Sequence, residues 1–178
     1  VTPEILTSQG SYFRFDEPKY NHIWIEDIAQ ALSRICRFTG HTNAFYSVAQ
    51  HSVFVSRIVP AEHALAGLLH DAAEAYLGDV SSPLKQLLPE YKAIEERVER
   101  AIFEWYGLPF PLPSCIKQAD LRMLVTERRD LMPSAKEQGR DANAWAWTNE
   151  FEPLAEVIVP LSPDEARASF MKRFWEIY

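Results

Sequence analysis

Residues 61–77 read AEHALAGLLHDAAEAYL, and the organisation of the chain turns on this stretch. Ala64, Leu65, Leu68, Leu69, Ala72 and Ala73 cover most of a helical surface with apolar groups. The spacing therefore predicts one helix from about Ala61 to Leu77, buried among other helices and stopped by Gly78. His70, Asp71 and Glu74 interrupt that apolar surface, and Asp79 follows just beyond it. Unpaired carboxylates are costly to bury, so three of them this close call for protons or cations. A divalent metal is the economical compensation. On a regular helix His70 and Glu74 share a face, whereas Asp71 points about 100° away. One ion taken from His70 and Asp71 would have Glu74 a turn along, in reach of a water.

Helical periodicity extends on both sides. Ile28, Leu32, Ile35 and Cys36 form a stripe on a helix expected from about Glu26 to Phe38, with Gly40 as its stop. A second helix is expected over 47–59, with Pro60 opening the next. Ser82-Pro83 starts a short helix through Leu88. Glu90 to Tyr106 is amphipathic and charged, and Ser114 caps a helix to about Met132. Ser162-Pro163-Asp164-Glu165 is a capping box leading into a helix with Phe170, Phe174 and Ile177. Before all of these, Gly10 to Pro18 has the alternation of a strand or hairpin, with 22–25 as a second extended piece. Residues 134–153 read as a polar loop in which Trp145 and Trp147 are expected to dock. The expected fold is all-α: one domain over 1–178, about six helices in a compact bundle, with a small extended N-terminal element.

The 178 residues carry 25 acids against 18 bases, a formal net charge of −7, so duplex nucleic acid is a poor partner. Cys36 and Cys115 form no Cys-x-x-Cys pair and read as two reduced thiols. No run of about 18 apolar residues and no charged-then-apolar leader pattern occurs, so the expectation is a cytoplasmic protein with no membrane contact.

Two ligands from one helix make a weak metal site, so others are needed. His51 lies mid-helix among apolar neighbours, and Asp120 lies inside Ile116-Lys117-Gln118-Ala119-Asp120-Leu121. Each has an ordinary reading: His51 as a hydrogen-bonded core residue, Asp120 as a partner of Lys117 or Arg122. His63 is two turns from His70, roughly 10.5 Å, too far for one ion. There is no His-Glu-x-x-His, no Gly-rich phosphate loop and no Gly-x-Ser-x-Gly elbow.

His51, then His70-Asp71, then Asp120 resemble in order the signature of the HD-domain phosphohydrolases. Ile35-Cys36-Arg37-Phe38, Tyr46-Ser47-Val48-Ala49-Gln50-His51-Ser52 and the run from Leu69 to Lys85 look like one branch. That branch comprises small single-domain bacterial or phage-encoded 5′-deoxynucleotidases and deoxynucleoside triphosphate hydrolases. The resemblance spans residues 10 to 132 and implies specific roles. His51, His70, Asp71 and Asp120 would hold one divalent transition metal (Co2+, Mn2+, Zn2+, Ni2+ or Fe2+), with Mg2+ arriving, if at all, with substrate phosphates. Glu74 and Asp79 would position and deprotonate a water held by the metal, or protonate the leaving oxygen. Arg37 and Lys85 would hold the phosphate.

Relatives with two metals recruit histidines downstream of the His-Asp pair, and none follows His70 here. Phe38 reads either as a stacking partner for a base or sugar or as a core aromatic; Gly40 and His41 follow it at the pocket border. Glu127-Arg128-Arg129-Asp130 reads as a substrate or subunit contact or as a solvated ion-pair face. The resemblance thus implies hydrolysis of a deoxyribonucleotide phosphate bond, in a 5′-monophosphate or in a triphosphate such as dATP, by a homo-oligomer. A phosphodiesterase of a cyclic or signalling nucleotide is the competing enzyme. A non-catalytic nucleotide sensor is the alternative from another class, against which Glu74 and Asp79 speak.

Overall fold

The computed structural model describes residues 2–133, 148 and 150–178. Its fold is all-α with a small N-terminal hairpin. Strand β1 (Glu4–Leu6) pairs antiparallel with β2 (Tyr12–Arg14), placing Ile5 opposite Phe13. The helices follow in order: α1 (Ile25–Leu32), α2 (Val48–Ile58), α3 (Ala64–Leu69), α4 (Glu74–Leu77), α5 (Ser82–Lys85), α6 (Pro89–Trp105), α7 (Ser114–Leu131) and α8 (Pro163–Ile177). Trp145 and Trp147 lie outside the described residues. Among the described residues no helix is long and apolar enough to cross a membrane.

Helix α2 is the element around which the others assemble. It packs on α1, α3, α7 and α8. Val48, Ala49 and Val53 join the core built by Phe13, Ile28, Leu32, Leu68, Ile102, Phe170 and Phe174. Val55 and Val59 join a second core with Tyr46, Ile116, Met123 and Ile158. On so deeply packed a helix the buried polar side chains call for internal partners, and most have them, Ser52 Oγ being the exception among the described residues. Ser47 caps it by accepting from Gln50 N. The Gln50 amide donates to Val159 O and accepts from Leu161 N, which fixes the segment entering α8. Ser56 donates to Ala64 O and accepts from Arg173.

Several expected elements are cut differently. The hairpin pairs 4–6 with 12–14, and residues 22–24 are not a strand, because their neighbour Asn21 turns back to bond Arg14. Helix α1 ends at Leu32, not near Phe38. Ser33 Oγ bonds Gln30 O, and the backbone of 35–37 is taken by extended pairing with 46–48 across a Cys36–Ser47 bridge. The short helix from Ser82 ends at Lys85 rather than Leu88.

The largest departure is in residues 61–77. A 3-10 turn at 61–63 leads into α3, and regular helix then stops at Leu69 and resumes only at Glu74. Between them the backbone tightens to three-residue spacing: Ala72 N bonds Leu69 O, and Glu74 N bonds Asp71 O. A three-residue turn inside a helix is a mark of a functional hinge or of a sequence under strain. Across it the Asp71 side chain reaches back to His70, with Oδ2 3.1 Å from Nε2.

Gly67 sets how closely α3 approaches α2. A Cβ on Gly67 would sit 3.0 Å from Ser56 Cα and 3.1 Å from Val59 Cγ2. Gly67→Ala must therefore push the helices apart, at a cost of about 1–3 kcal/mol by analogy with other overpacked cores. Urea unfolding should show a lower midpoint; an unchanged midpoint would mean the two helices yield freely.

Candidate metal centre

Four elements deliver the candidate ligands to one point. His51 comes from the middle of α2 and is fully buried, His70 from the end of α3, Asp71 from the turn after it, and Asp120 from α7. His51 Nε2 lies 3.3 Å from His70 Nε2, 3.4 Å from Asp120 Oδ1 and 3.7 Å from Asp71 Oδ2. His70 Nε2 is 3.1 Å from Asp71 Oδ2. One donor atom from each of His51, His70 and Asp120 falls within 4.8 Å of the others.

The outer edges of both rings decide what the inner edges can do. His51 Nδ1 sits 2.6 Å from Glu127 Oε1, an acceptor-only carboxylate, and His70 Nδ1 sits 2.8 Å from Gly67 O. A neutral ring at either position would therefore carry its proton on Nδ1 and turn a bare Nε2 inward. Two nitrogen lone pairs then face each other beside two carboxylates. Such a set repels itself unless a cation sits among it. Imidazole nitrogens with carboxylate oxygens suit a divalent transition metal, so the residues fit the group that the resemblance implies.

The titration behaviour expresses the same demand. Burial and the Arg37 charge disfavour a protonated His51, but Glu127 and Asp120 outweigh them and push it up to about 9. Burial also opposes ionisation of Asp71 and Asp120, yet the imidazoles beside them hold both below the usual carboxylate range. A proton can ease the repulsion; a dication can do so for all four groups together.

Arg37 reaches the centre from the turn before α2. Its Nε and Nη2 donate to Glu127 Oε2 at 3.2 and 3.0 Å, while Nη1 stands 3.6 Å from Asp71 Oδ2. Phe38 and Thr39 hold left-handed backbone angles, φ 54° in both, which only a constrained turn imposes on such residues. Gly40 closes the turn at φ 79°. The Phe38 ring lies 5.4 Å from the Arg37 guanidinium.

Glu74, the first residue of α4, is buried, and its Oε2 has no hydrogen-bond partner among the described residues. Burial, then the charges of Asp71 and Asp79, push its carboxyl well above the usual range. Asp79 is raised too, chiefly by burial. Lys85 Nζ is 4.0 Å from Glu74 Oε1 but is engaged first by Glu95 on α6. Beyond it, burial and the Glu95 charge raise Glu99 to about 7.

The fate of the 127–130 run was not legible in its charges. Glu127 is fully buried beneath His51, two helical turns from Asp120. Arg129 and Asp130 instead pin the segment leading to α8: Arg129 donates to Leu154 O and Glu156 O, and Asp130 accepts from Ile158 N. The available signal for Glu127 was its i+7 placement on the face that carries Asp120. Asp120 also keeps the ordinary partner expected of it, with Lys117 Nζ 2.7 Å from Oδ2, while Oδ1 faces His51.

No family model matches the chain. It is 46% identical over 172 residues to the uncharacterized protein YfdR of Escherichia coli K12, covering 96% of this chain and 93% of YfdR. The chain belongs to the YfdR family. An uncharacterized protein of Rhodobacter capsulatus is 37% identical over 113 residues, 58% of each chain. Both relatives are named without an activity, so membership in the YfdR family leaves the chemistry to be argued from the site.

A divalent ion bound at this cluster would have to displace the proton that His51 otherwise holds. Affinity for Zn2+ or Mn2+ should therefore rise about tenfold per pH unit below pH 9 and level off above it. Saturation at a hundred times the dissociation constant should raise unfolding stability by about 2.7 kcal/mol. Calorimetric titration at several pH values checks the slope, and a pH-independent affinity would contradict this ligand set.

Proposed function

We propose that this chain is an HD-domain phosphohydrolase that cleaves a phosphate bond of a deoxyribonucleotide. The observation that carries the reading is one cluster of converging imidazoles and carboxylates, with a buried carboxyl, Glu74, on the adjoining turn whose Oε2 has no partner among the described residues. His51, His70, Asp71 and Asp120 would hold one divalent transition metal. When bound, such a metal polarises a phosphoryl group and eases deprotonation of an attacking water.

The chain's own residues have complementary tasks. Glu74 is protonated more readily than an ordinary carboxylate, because burial and neighbouring acids oppose its charge. It is therefore suited to carry a proton between water and leaving oxygen, with Asp79 beside it in the same role. Arg37 keeps Nη1 toward Asp71 while Glu127 holds its other edge, so a guanidinium corner is preset for phosphate oxygens. Lys85 reaches the Glu74 side and can exchange Glu95 for a phosphate. Phe38, beside Arg37, offers a ring for a base or sugar. The proposal includes a nucleotide-metabolism role in the cytoplasm, a homo-oligomeric state, no duplex nucleic-acid partner, and Mg2+ only with substrate phosphates.

Products should be separated by chromatography after incubation with deoxynucleoside mono- and triphosphates or cyclic nucleotides and added Mn2+, Co2+ or Mg2+. Turnover of a deoxynucleotide is expected. Binding without any turnover would replace the enzyme by a sensor, and turnover of cyclic substrates alone would replace it by a phosphodiesterase. Asp71→Ala should abolish metal retention by elemental analysis. Glu74→Ala should retain metal but lose about 100- to 10,000-fold in rate, the usual worth of a general acid or base. A normal metal content in Asp71→Ala would remove that residue from the ligand set.

A further inference from the structure

The Glu127 side chain lies between the candidate metal ligands and the candidate phosphate-binding arginine, and it touches both. Its two oxygens are fully buried and divided between different tasks. Oε1 accepts from His51 Nδ1 at 2.6 Å and from the Tyr46 hydroxyl at 3.0 Å. Oε2 accepts from Arg37 Nε and Nη2. Four donor contacts thus converge on one carboxylate, and an ionised carboxylate has acceptor capacity for all of them.

We propose that Glu127 is a positioning residue that sets two things at once: the His51 tautomer that leaves Nε2 free for a metal, and the orientation that leaves Arg37 Nη1 facing Asp71. The inference rests on the metal-centre reading of His51, His70, Asp71 and Asp120, but it does not require that the chain hydrolyse anything.

The chemistry explains why no other side chain of this size fits. Glutamine replaces one acceptor by a donor. If its amide oxygen serves Arg37, its NH2 faces His51 Nδ1, which must then become an acceptor. The imidazole proton moves to Nε2 and blocks the metal edge. If the oxygen serves His51, the NH2 meets the guanidinium donors, and Arg37 loses its anchor and is free to swing. Either way one of the two functions fails. If Glu127 served stability alone, Glu127→Gln would lower the unfolding midpoint while the His51 tautomer and Zn2+ affinity stayed as in the wild type.

Burial of this carboxylate is matched by its partners. Burial alone would raise Glu127, yet the fields of Arg37 and His51 hold it below the usual glutamate range. The same pairing pushes the buried guanidinium up, so both charges persist.

The test uses the full chain and Zn2+. Nitrogen-15 spectra of the wild type should show His51 protonated at Nδ1 in the Zn2+-loaded state. They should also show Arg37 with a slowly exchanging Nε–H and resolved Nη signals. Glu127→Gln should lower Zn2+ affinity about 10- to 100-fold, the usual loss when a partner of a ligating histidine is changed. It should also either move the His51 proton to Nε2 or average the Arg37 Nη signals. Tyr46→Phe removes a donor from Oε1 without touching either link and should hold Zn2+ affinity within about threefold. An unchanged affinity in Glu127→Gln, or a wild-type His51 protonated at Nε2 with Zn2+ bound, would overturn the proposal. The wild-type spectra decide even if the glutamine variant fails to fold. Loss of hydrolytic activity plays no part in any of these readouts, so failure of the phosphohydrolase reading would remain separable.

Discussion

The structure around α2 is organised by a repulsion that needs a cation. His51 and His70 turn their Nε2 atoms toward each other at 3.3 Å, and Asp71 and Asp120 add negative charge to the same point. Electrostatics in a buried site are only weakly screened, so such a cluster is tolerable only with a compensating charge inside it. Without a metal the proton on His51 supplies part of it, and the neighbouring basic side chains do not add to it. Arg37 is committed to Glu127, Lys85 to Glu95, and Lys117 stays on the outer oxygen of Asp120.

The fold serves that cluster in concrete ways. Gly67 lets α3 press against α2, and its carbonyl fixes the His70 ring. At the break after Leu69, Asp71 Oδ2 comes within 3.1 Å of His70 Nε2. The bridge between Cys36 and Ser47 holds the strained turn that carries Arg37. At the far end of α7, Arg129 and Asp130 secure the chain that leads into α8, which closes the core over α1, α2 and α3. Glu127 lies at the junction of these devices, since it bonds both a candidate metal ligand, His51, and Arg37 at the start of the strained turn.

Much of this was legible in the residues themselves. Apolar periodicity located α2, α6, α7 and α8 to within a residue or two, and the capping box at Ser162 formed as its spacing implies. His51, His70, Asp71 and Asp120 do meet, although spacing alone joined only two of them. What failed to show was local. Periodicity has no means of announcing a helix interrupted at 70–73, because the apolar pattern continues through Ala72 and Ala73 unchanged. The early end of α1 reflects pairing between residues about ten positions apart in the chain, Arg37 with Tyr46, Cys36 with Ser47 and Ile35 with Val48, which a helical stripe through Ile35 and Cys36 conceals. Glu127 was hidden by its company: Arg128, Arg129 and Asp130 make the run look like a solvated surface, while one of its four members is fully buried.

The central claim is that the four-residue cluster binds a single divalent cation. A crystal grown with Zn2+ and measured on both sides of the zinc absorption edge tests it most directly. The account predicts one anomalous peak within bonding distance of His51 Nε2, His70 Nε2 and carboxylate oxygens of Asp71 and Asp120. No peak there, with the two imidazoles bonded through a proton instead, would contradict it.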